Sequence, residues 1–105
     1  MTAGEHDNVF CRNPDPAKEG TNVSHWKYEV VRRAILATLG DDQGGVTFRE
    51  LTAEVRGRLS GETIERLGSV SWHTTVVKLH LEAVSEIERI PRSRPHRLRR
   101  CSAPE

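Results

Sequence analysis

The last third of the chain, residues 69–100, restricts the possible folds more than any other part of the sequence. It reads SVSWHTTVVKLHLEAVSE and then IERIPRSRPHRLRR. Apolar residues recur in the first stretch at the spacing of an α-helix, whereas the second has two short segments around a loop with two prolines. Prolines suit a turn but not the inside of a strand ladder. The sequence therefore predicts an amphipathic helix followed directly by a β-hairpin.

Positive charge is concentrated in this hairpin. Residues 89–100 contain six arginines and no acid, although the whole chain has a net charge of only +1. The remainder is consequently acidic on balance, and the folded domain would have one end suited to phosphate groups. A solvated, disordered basic tail is the alternative interpretation of the same run, and composition does not decide between the two.

Length and composition predict one small domain. The chain has 105 residues, of which 35% are hydrophobic and 30% charged, and it lacks the stretch of about 20 apolar residues that would cross a membrane. The N-terminal MTAGEHDNVF does not resemble a secretory signal, so we expect a cytoplasmic protein with no membrane partner. Cys11 and Cys101 lie in segments expected to be mobile, and we expect both to be reduced.

The chain divides into an arm, a domain and a tail. Residues 1–23 are predicted to be a flexible N-terminal arm, because they have few apolar groups to offset the entropy of ordering. Val9 and Phe10 are the candidates for holding this arm to the domain. The domain is expected to span residues 24–100, and residues 101–105 form a C-terminal tail.

Local signals predict the boundaries of the first helix. Ser24 is a good N-cap residue, and Gly40 suits the positive φ of a helix C-terminus. Between them, four apolar residues recur at helical spacing and form one stripe: Tyr28, Val31, Ile35 and Leu39.

The second helix is predicted by a capping box made of Thr47 and Glu50. Val46, just before the box, is a candidate short strand, and Gly61 is expected to end the helix. Residues 62–68 exceed an ordinary helix-turn-helix connection, so an extra helical turn is expected there. The core side of the second helix is apolar: Leu51, Val55 and Leu59.

The third main helix begins at Ser69 or Ser71 and has an apolar and a polar side. We expect His73 and His80 to be buried structural residues, because no further metal ligand lies between them. The role of Trp26 in the first helix stays open. The predicted core stripe consists of Trp72, Val76, Leu79 and Ala83, and it is flanked by Val77, Leu81 and Val84. The polar arc consists of Ser71, Thr74, Thr75, Lys78, Glu82 and Ser85.

Together these elements have the order of a winged helix-turn-helix domain, which is an α+β fold, mostly α, with three helices plus a small β-hairpin wing. The runs WKYEVVRRAILATL, VTFREL, LHLEA, IERI and PHRLRR, with Asn13-Pro14 before the first helix, resemble a family of small uncharacterised bacterial winged-helix-like proteins. The resemblance covers roughly residues 13–100. It implies the winged-helix fold and, by analogy with DNA-binding regulators of that fold, a nucleic-acid partner.

Two groups of residues are the candidates for contact with nucleic acid. The third helix would enter the major groove with four side chains towards base edges and phosphates: Ser71, Thr74, Thr75 and Lys78. The hairpin would contact the backbone or a narrow minor groove through its arginines: Arg92, Arg94, Arg97, Arg99 and Arg100. The helix side contains no Arg, Asn or Gln, so a merely solvated face is the competing interpretation.

No catalytic or cofactor motif accompanies these features. Residues 44–45 are a Gly-Gly pair without the Gly-Lys continuation of a phosphate loop, and no serine lies in a Gly-x-Ser-x-Gly elbow. We therefore expect no enzymatic activity, no cofactor and no metal. The chain is interpreted as a nucleic-acid-binding protein with DNA as its expected partner. The alternative is a protein-interaction or dimerisation module on the same scaffold, whose basic wing binds an acidic protein.

Overall fold

The helices follow the order that the periodicity predicts, with a hairpin added at the N-terminus. The computed structural model describes residues 7–41 and 44–101. Over these ranges the chain forms an α+β domain with four helices and two small antiparallel sheets, and none of these helices is long and apolar enough to cross a membrane. The elements are β1 (Asn8–Cys11), β2 (Thr21–Ser24), α1 (His25–Leu39), β3 (Val46–Thr47), α2 (Phe48–Arg58), α3 (Gly61–Leu67), α4 (Val70–Ala83), β4 (Ile87–Arg89) and β5 (Arg97–Arg100).

The boundaries of α1 are those that its cap residues predict. Ser24 occupies the N-cap position, and Gly40 follows the last turn with a φ of 51°. Glycine adopts this positive φ without the steric cost that a Cβ would add. The predicted apolar stripe is buried, and Val31 and Ile35 within it are fully enclosed. α1 packs against both α2 and α4 and so lies at the centre of the core.

α2 and α3 begin with side-chain caps. Thr47 Oγ1 accepts a hydrogen bond from the Glu50 backbone N–H at 3.2 Å, as the capping box predicts. α2 ends at Arg58, so the prediction that Gly61 terminates it is wrong. Gly61 instead begins α3, the extra helical turn that the long connection predicts, because Ser60 Oγ accepts from the Thr63 N–H at 3.1 Å.

α4 turns a different side to the core from the one that its sequence predicts. Ser69 caps the helix by accepting the Trp72 backbone N–H at 3.0 Å. The predicted core stripe is wrong at Trp72, which is 47% exposed, whereas Val77 and Leu81, predicted to flank the stripe, are fully buried. The helix has apolar residues on two sides, so its periodicity alone does not determine which side faces α1 and α2. The buried side consists of Val70, Thr74, Val77 and Leu81.

The predicted hairpin is confirmed and belongs to a three-stranded antiparallel sheet in the order β3-β5-β4. Val46 pairs with Leu98 and Thr47 with Arg97, while Arg89 of β4 is the partner of Leu98 on the other side. Successive residues of a strand point to opposite faces. Leu98 is therefore buried, and the arginines that flank it in β5 lie nearer the surface.

The N-terminal segment is part of the domain from residue 8 onwards, which differs from the loose arm that its composition predicts. β1 and β2 pair from Asn8↔Ser24 to Cys11↔Thr21. Cys11 is 2% exposed in the core, so the expectation of a mobile segment around it is wrong. Strands this short have too few inward residues to give a visible period of two. The predictions for residues 1–6 and 102–105 lie outside the described residues.

Candidate nucleic-acid interface

Three of the six hairpin arginines are held by neighbouring groups. Arg99 Nε lies 2.6 Å from Glu88 Oε2, and Arg89 Nε lies 3.2 Å from Glu82 Oε1. The Arg97 guanidinium donates to the Gly45 carbonyl at 3.2 Å. An arginine that is already paired with a carboxylate contributes less net charge towards a phosphate. Arg99 is therefore a weaker phosphate ligand than its sequence position suggests.

The other three arginines face solvent. Arg92 and Arg94 lie in the loop of residues 91–95 between β4 and β5, and Arg100 is the last residue of β5. All three are exposed, and none forms an ion pair with any residue in the described ranges. Of the predicted arginines, these three are therefore accessible to a phosphate group.

The polar arc of α4 is less accessible than predicted. Thr74 is fully buried with no hydrogen-bond partner for its hydroxyl among the described residues, so it faces no base edge. Lys78 is 8% exposed and its ammonium lies 2.9 Å from Glu82 Oε2. Ser71 is exposed and Thr75 half-buried, and the Thr75 hydroxyl donates back to the Ser71 carbonyl at 2.9 Å. Ser71 and Thr75 are what remains of the predicted reading face.

The C-terminal half of the outer side of α4 is covered by residues 11–20, which comprise the last residue of β1 and the loop that leads to β2. The Arg12 backbone N–H donates to His80 Nδ1 at 2.9 Å. Val76 and Leu79 line a small cavity of about 50 Å³ together with this segment. These residues belong to the stripe that the periodicity predicts as core. A recognition helix places its outer side in the major groove, and here the chain itself occupies the C-terminal half of that side, whereas Ser71 and Trp72 near the helix start are exposed.

Both α4 histidines are buried, as expected. His73 Nδ1 lies 2.7 Å from the Ser69 carbonyl and donates to it, whereas His80 Nδ1 accepts from the backbone. Burial lowers the pKa of His73 and of His80, because the charged ring is poorly solvated there. Within the described ranges, no group of three or more His, Cys, Asp or Glu side chains is placed to hold a metal ion.

Trp26 lies half-buried beneath cationic side chains. The Arg66 guanidinium is 4.8 Å from the ring centroid and the Lys27 ammonium is 5.7 Å from it. Both distances fall in the range of cation–π attraction. The Lys27 ammonium also donates to the Leu67 carbonyl at 3.3 Å. Trp26 therefore joins the start of α1 to the end of α3.

A cleft of about 580 Å³ separates the start of α2 from the returning strand of the hairpin. Sequence reasoning did not assign it. The sequence signal for this cleft was an aromatic residue, Phe48, at the first position of α2. In the structure Phe48 is 37% exposed, and the Lys78 ammonium lies 5.3 Å from its ring centroid. The cleft is lined by Thr47, Phe48, Arg49, Glu50, Pro95, His96 and Arg97.

Comparisons with known proteins give one match. A family model described as a family of unknown function matches residues 8–98, which include the N-terminal hairpin and nearly all of the wing. No curated protein and no solved structure matches the chain. The match covers most of the chain and assigns no activity to it.

Proposed function

The chain belongs to the family of unknown function DUF6958, and we propose that it is a winged-helix protein that binds nucleic acid, DNA in the first place, through its wing. The winged-helix assignment is supported by the order α1, β3, α2, α3, α4, β4, β5 and by the sheet order β3-β5-β4. In that fold the strand between the first two helices pairs with the hairpin, as β3 pairs with β5 here.

The observation that supports nucleic-acid binding most directly is the exposure of Arg92 and Arg94 in the loop of the hairpin and of Arg100 at the far end of β5. Each projects from the wing without an acidic partner in the described part of the chain. Arginines of this kind contact phosphates and release condensed counterions, which gives affinity without sequence preference.

α4 adds little specificity in this proposal. Residues 11–20 cover the C-terminal half of its outer side, and Lys78 is neutralised by Glu82. Ser71 and Thr75 are small side chains that can contact either base type. The proposed binding is therefore directed mainly at the nucleic-acid backbone.

The two free cysteines are compatible with a reducing compartment, and a cytoplasmic location is part of the proposal.

The proposal predicts a salt dependence set by the three exposed arginines. Three phosphate contacts give a slope of about −2.7 for log K against log salt, or about a 40-fold loss of affinity between 50 and 200 mM salt. Arg92→Ala combined with Arg94→Ala leaves one such contact, so the slope falls to about −0.9. Fluorescence anisotropy with a labelled mixed-sequence duplex measures both slopes.

A matched control removes two exposed arginines elsewhere. Arg33 on α1 and Arg56 on α2 are exposed, and replacing both by alanine changes the net charge by the same amount. The slope of this control should stay near that of the unmodified protein. The proposal fails if no duplex binds at low salt, or if the control pair lowers the slope as much as the wing pair.

A protein-interaction or dimerisation module is the second candidate, and exposed aromatic residues favour it. Trp72 is 47% and Phe10 56% exposed, and large exposed aromatics are enriched in protein interfaces. Light scattering at 50 and 200 mM salt tests this candidate, because association through an apolar surface does not weaken steeply with salt. Binding of an acidic protein by the wing would weaken with salt, and absence of duplex binding at low salt separates it from the first function.

A further inference from the structure

We infer that the cleft between the wing and the start of α2 binds one unstacked base of a single-stranded nucleic-acid segment. This inference rests on the proposed function and names the form of nucleic acid that the wing recognises. It concerns residues outside the predicted contact set, chiefly Phe48, Arg49, Pro95 and His96.

The two walls of the cleft are held in fixed positions. Thr47 is the register partner of Arg97, and Val46 is the partner of Leu98. The pairing of β3 with β5 therefore sets the distance between the residues that follow Thr47 and those that precede Arg97. The Arg97 guanidinium also donates to the Gly45 carbonyl at 3.2 Å, which ties the same walls a second time. A volume of about 580 Å³ lies within the range of small-molecule sites, so the cleft can take a nucleotide without opening.

The lining offers a surface for a planar apolar group. Phe48 is 37% exposed, and Pro95 stands on the opposite wall. The Lys78 ammonium lies 5.3 Å from the Phe48 centroid, so a cation already holds one side of the ring. Bases stack on aromatic rings largely independently of sequence, because every base has a π-face. A base within a duplex is already stacked on its neighbours, so an unpaired base is the better ligand.

Charge around the cleft favours a ligand that contains phosphate. Arg49 is exposed and, within the described ranges, forms no ion pair, and His96 is exposed on the facing wall. Arg92 and Arg94 are exposed in the loop that leads to Pro95 of the lining. Glu50 is the acidic residue of the lining, and its carboxylate can accept a hydrogen bond from an exocyclic amine such as that of cytosine. A strand can thus enter the cleft with a base while its phosphates follow the wing.

Anisotropy with two matched duplexes tests this inference. One is blunt, and the other has the same sequence with a short single-stranded overhang that contains 2-aminopurine. The overhang should improve affinity about tenfold, in line with one stacked base, and the 2-aminopurine fluorescence should be quenched on binding. Phe48→Leu keeps an apolar side chain but removes the ring, so both effects should disappear. Phe48→Trp should retain both.

Trp72→Leu is the matched control, because it removes another exposed aromatic ring that lies away from the cleft lining. It should leave the preference for the overhang unchanged. Equal affinity for the two duplexes would overturn the inference while the proposed function stands. The inference is also overturned if Phe48→Leu, shown to be folded by circular dichroism, keeps the preference for the overhang. Absence of binding to either duplex would overturn the proposed function itself.

Discussion

Arg99 and Arg100 are neighbours in β5 and lie in different environments. Arg99 is paired with Glu88 on the adjacent strand, whereas Arg100 is exposed. The alternation of side chains along the strand places Arg99 on the outer face opposite Glu88, whereas Arg100 shares the face of the buried Leu98 and is exposed because it lies at the end of β5. The number of arginines in the wing therefore overstates the charge that the wing can offer to a phosphate.

Gly57, inside α2, and Gly45, just before β3, should respond differently to replacement by alanine. Gly57 lies inside α2 with no atom within 4 Å of an added Cβ. Alanine is a better helix former by about 0.5–1 kcal/mol, so Gly57→Ala should raise the free energy of unfolding by that amount. Urea denaturation of the two proteins measures the difference.

Gly45 is the contrasting position. Its φ is 79°, and an added Cβ would lie 2.9 Å from the Leu98 carbonyl oxygen and against the Ile90 side chain. Gly45→Ala should therefore destabilise the domain by more than about 1 kcal/mol. A shift of the same sign for both substitutions would contradict this account of the two sites.

The hairpin β1–β2 and the loop between its strands limit access to α4. They lie against α4 through the Arg12–His80 hydrogen bond and the contacts of residues 11–20 with Val76 and Leu79. Apolar surface that would otherwise be exposed on α4 is thereby removed from water. The same packing covers part of the outer side of α4, and for this reason the proposed binding is assigned mainly to the wing.

This packing should weaken in acid. Burial lowers the pKa of His80, against the opposing effect of Glu86, so the unfolded chain takes up the proton first as pH falls. Stability is complete above the ordinary pKa of about 6.5 and is lost as pH falls from there towards the folded pKa, by at most about 1.4 kcal/mol per pH unit for each proton. His80→Asn keeps an acceptor near the position of Nδ1 and does not titrate. Urea denaturation between pH 7 and 5 should therefore show a shallower loss of stability for the variant.

His73 provides the internal reference, since burial lowers its pKa too and it remains in the His80→Asn protein. Part of the pH dependence should consequently persist in the variant. An unchanged pH dependence in His80→Asn would rule out His80 as a source of the acid sensitivity.

At the scale of the whole molecule, one core joins residues from both ends of the chain. Cys11 from β1, Ile35 from α1 and Leu98 from β5 belong to the same buried cluster. The N-terminal hairpin and the wing therefore contribute to one cooperative unit, because removing either would expose apolar residues of α1 or α4.

Thiol labelling tests whether the N-terminal hairpin unfolds together with the rest of the domain. Cys11 is 2% exposed and burial raises its pKa to about 11, so it should not react with a thiol reagent at pH 8 in native buffer. Cys101 is half-buried and should react first. In Cys101→Ser, labelling of Cys11 should begin only at the urea concentration that unfolds the domain. Rapid labelling in native buffer would show that the hairpin detaches independently.

Most element boundaries could be predicted, because they depend on nearby residues. Ser24 and Gly40 bound α1, and Thr47 caps α2, as expected from side-chain hydrogen bonding and φ preference. The candidate site was predicted only in part. Arg92, Arg94 and Arg100 are exposed as expected, whereas Thr74 is buried and the cleft beside Phe48 was missed.

By itself, the sequence determined both ends of α1, the starts of α2 and α4 and the position of the wing, since caps and periodicity act over about four positions along the chain. Only the tertiary structure decided which side of α4 faces inward and which arginines remain unpaired. Those outcomes depend on contacts such as the hydrogen bond between Arg12 and His80, which are 68 positions apart. α4 has two apolar sides. The hairpin covers part of one and α1 and α2 cover the other, so the periodicity of α4 alone does not show which side faces α1 and α2.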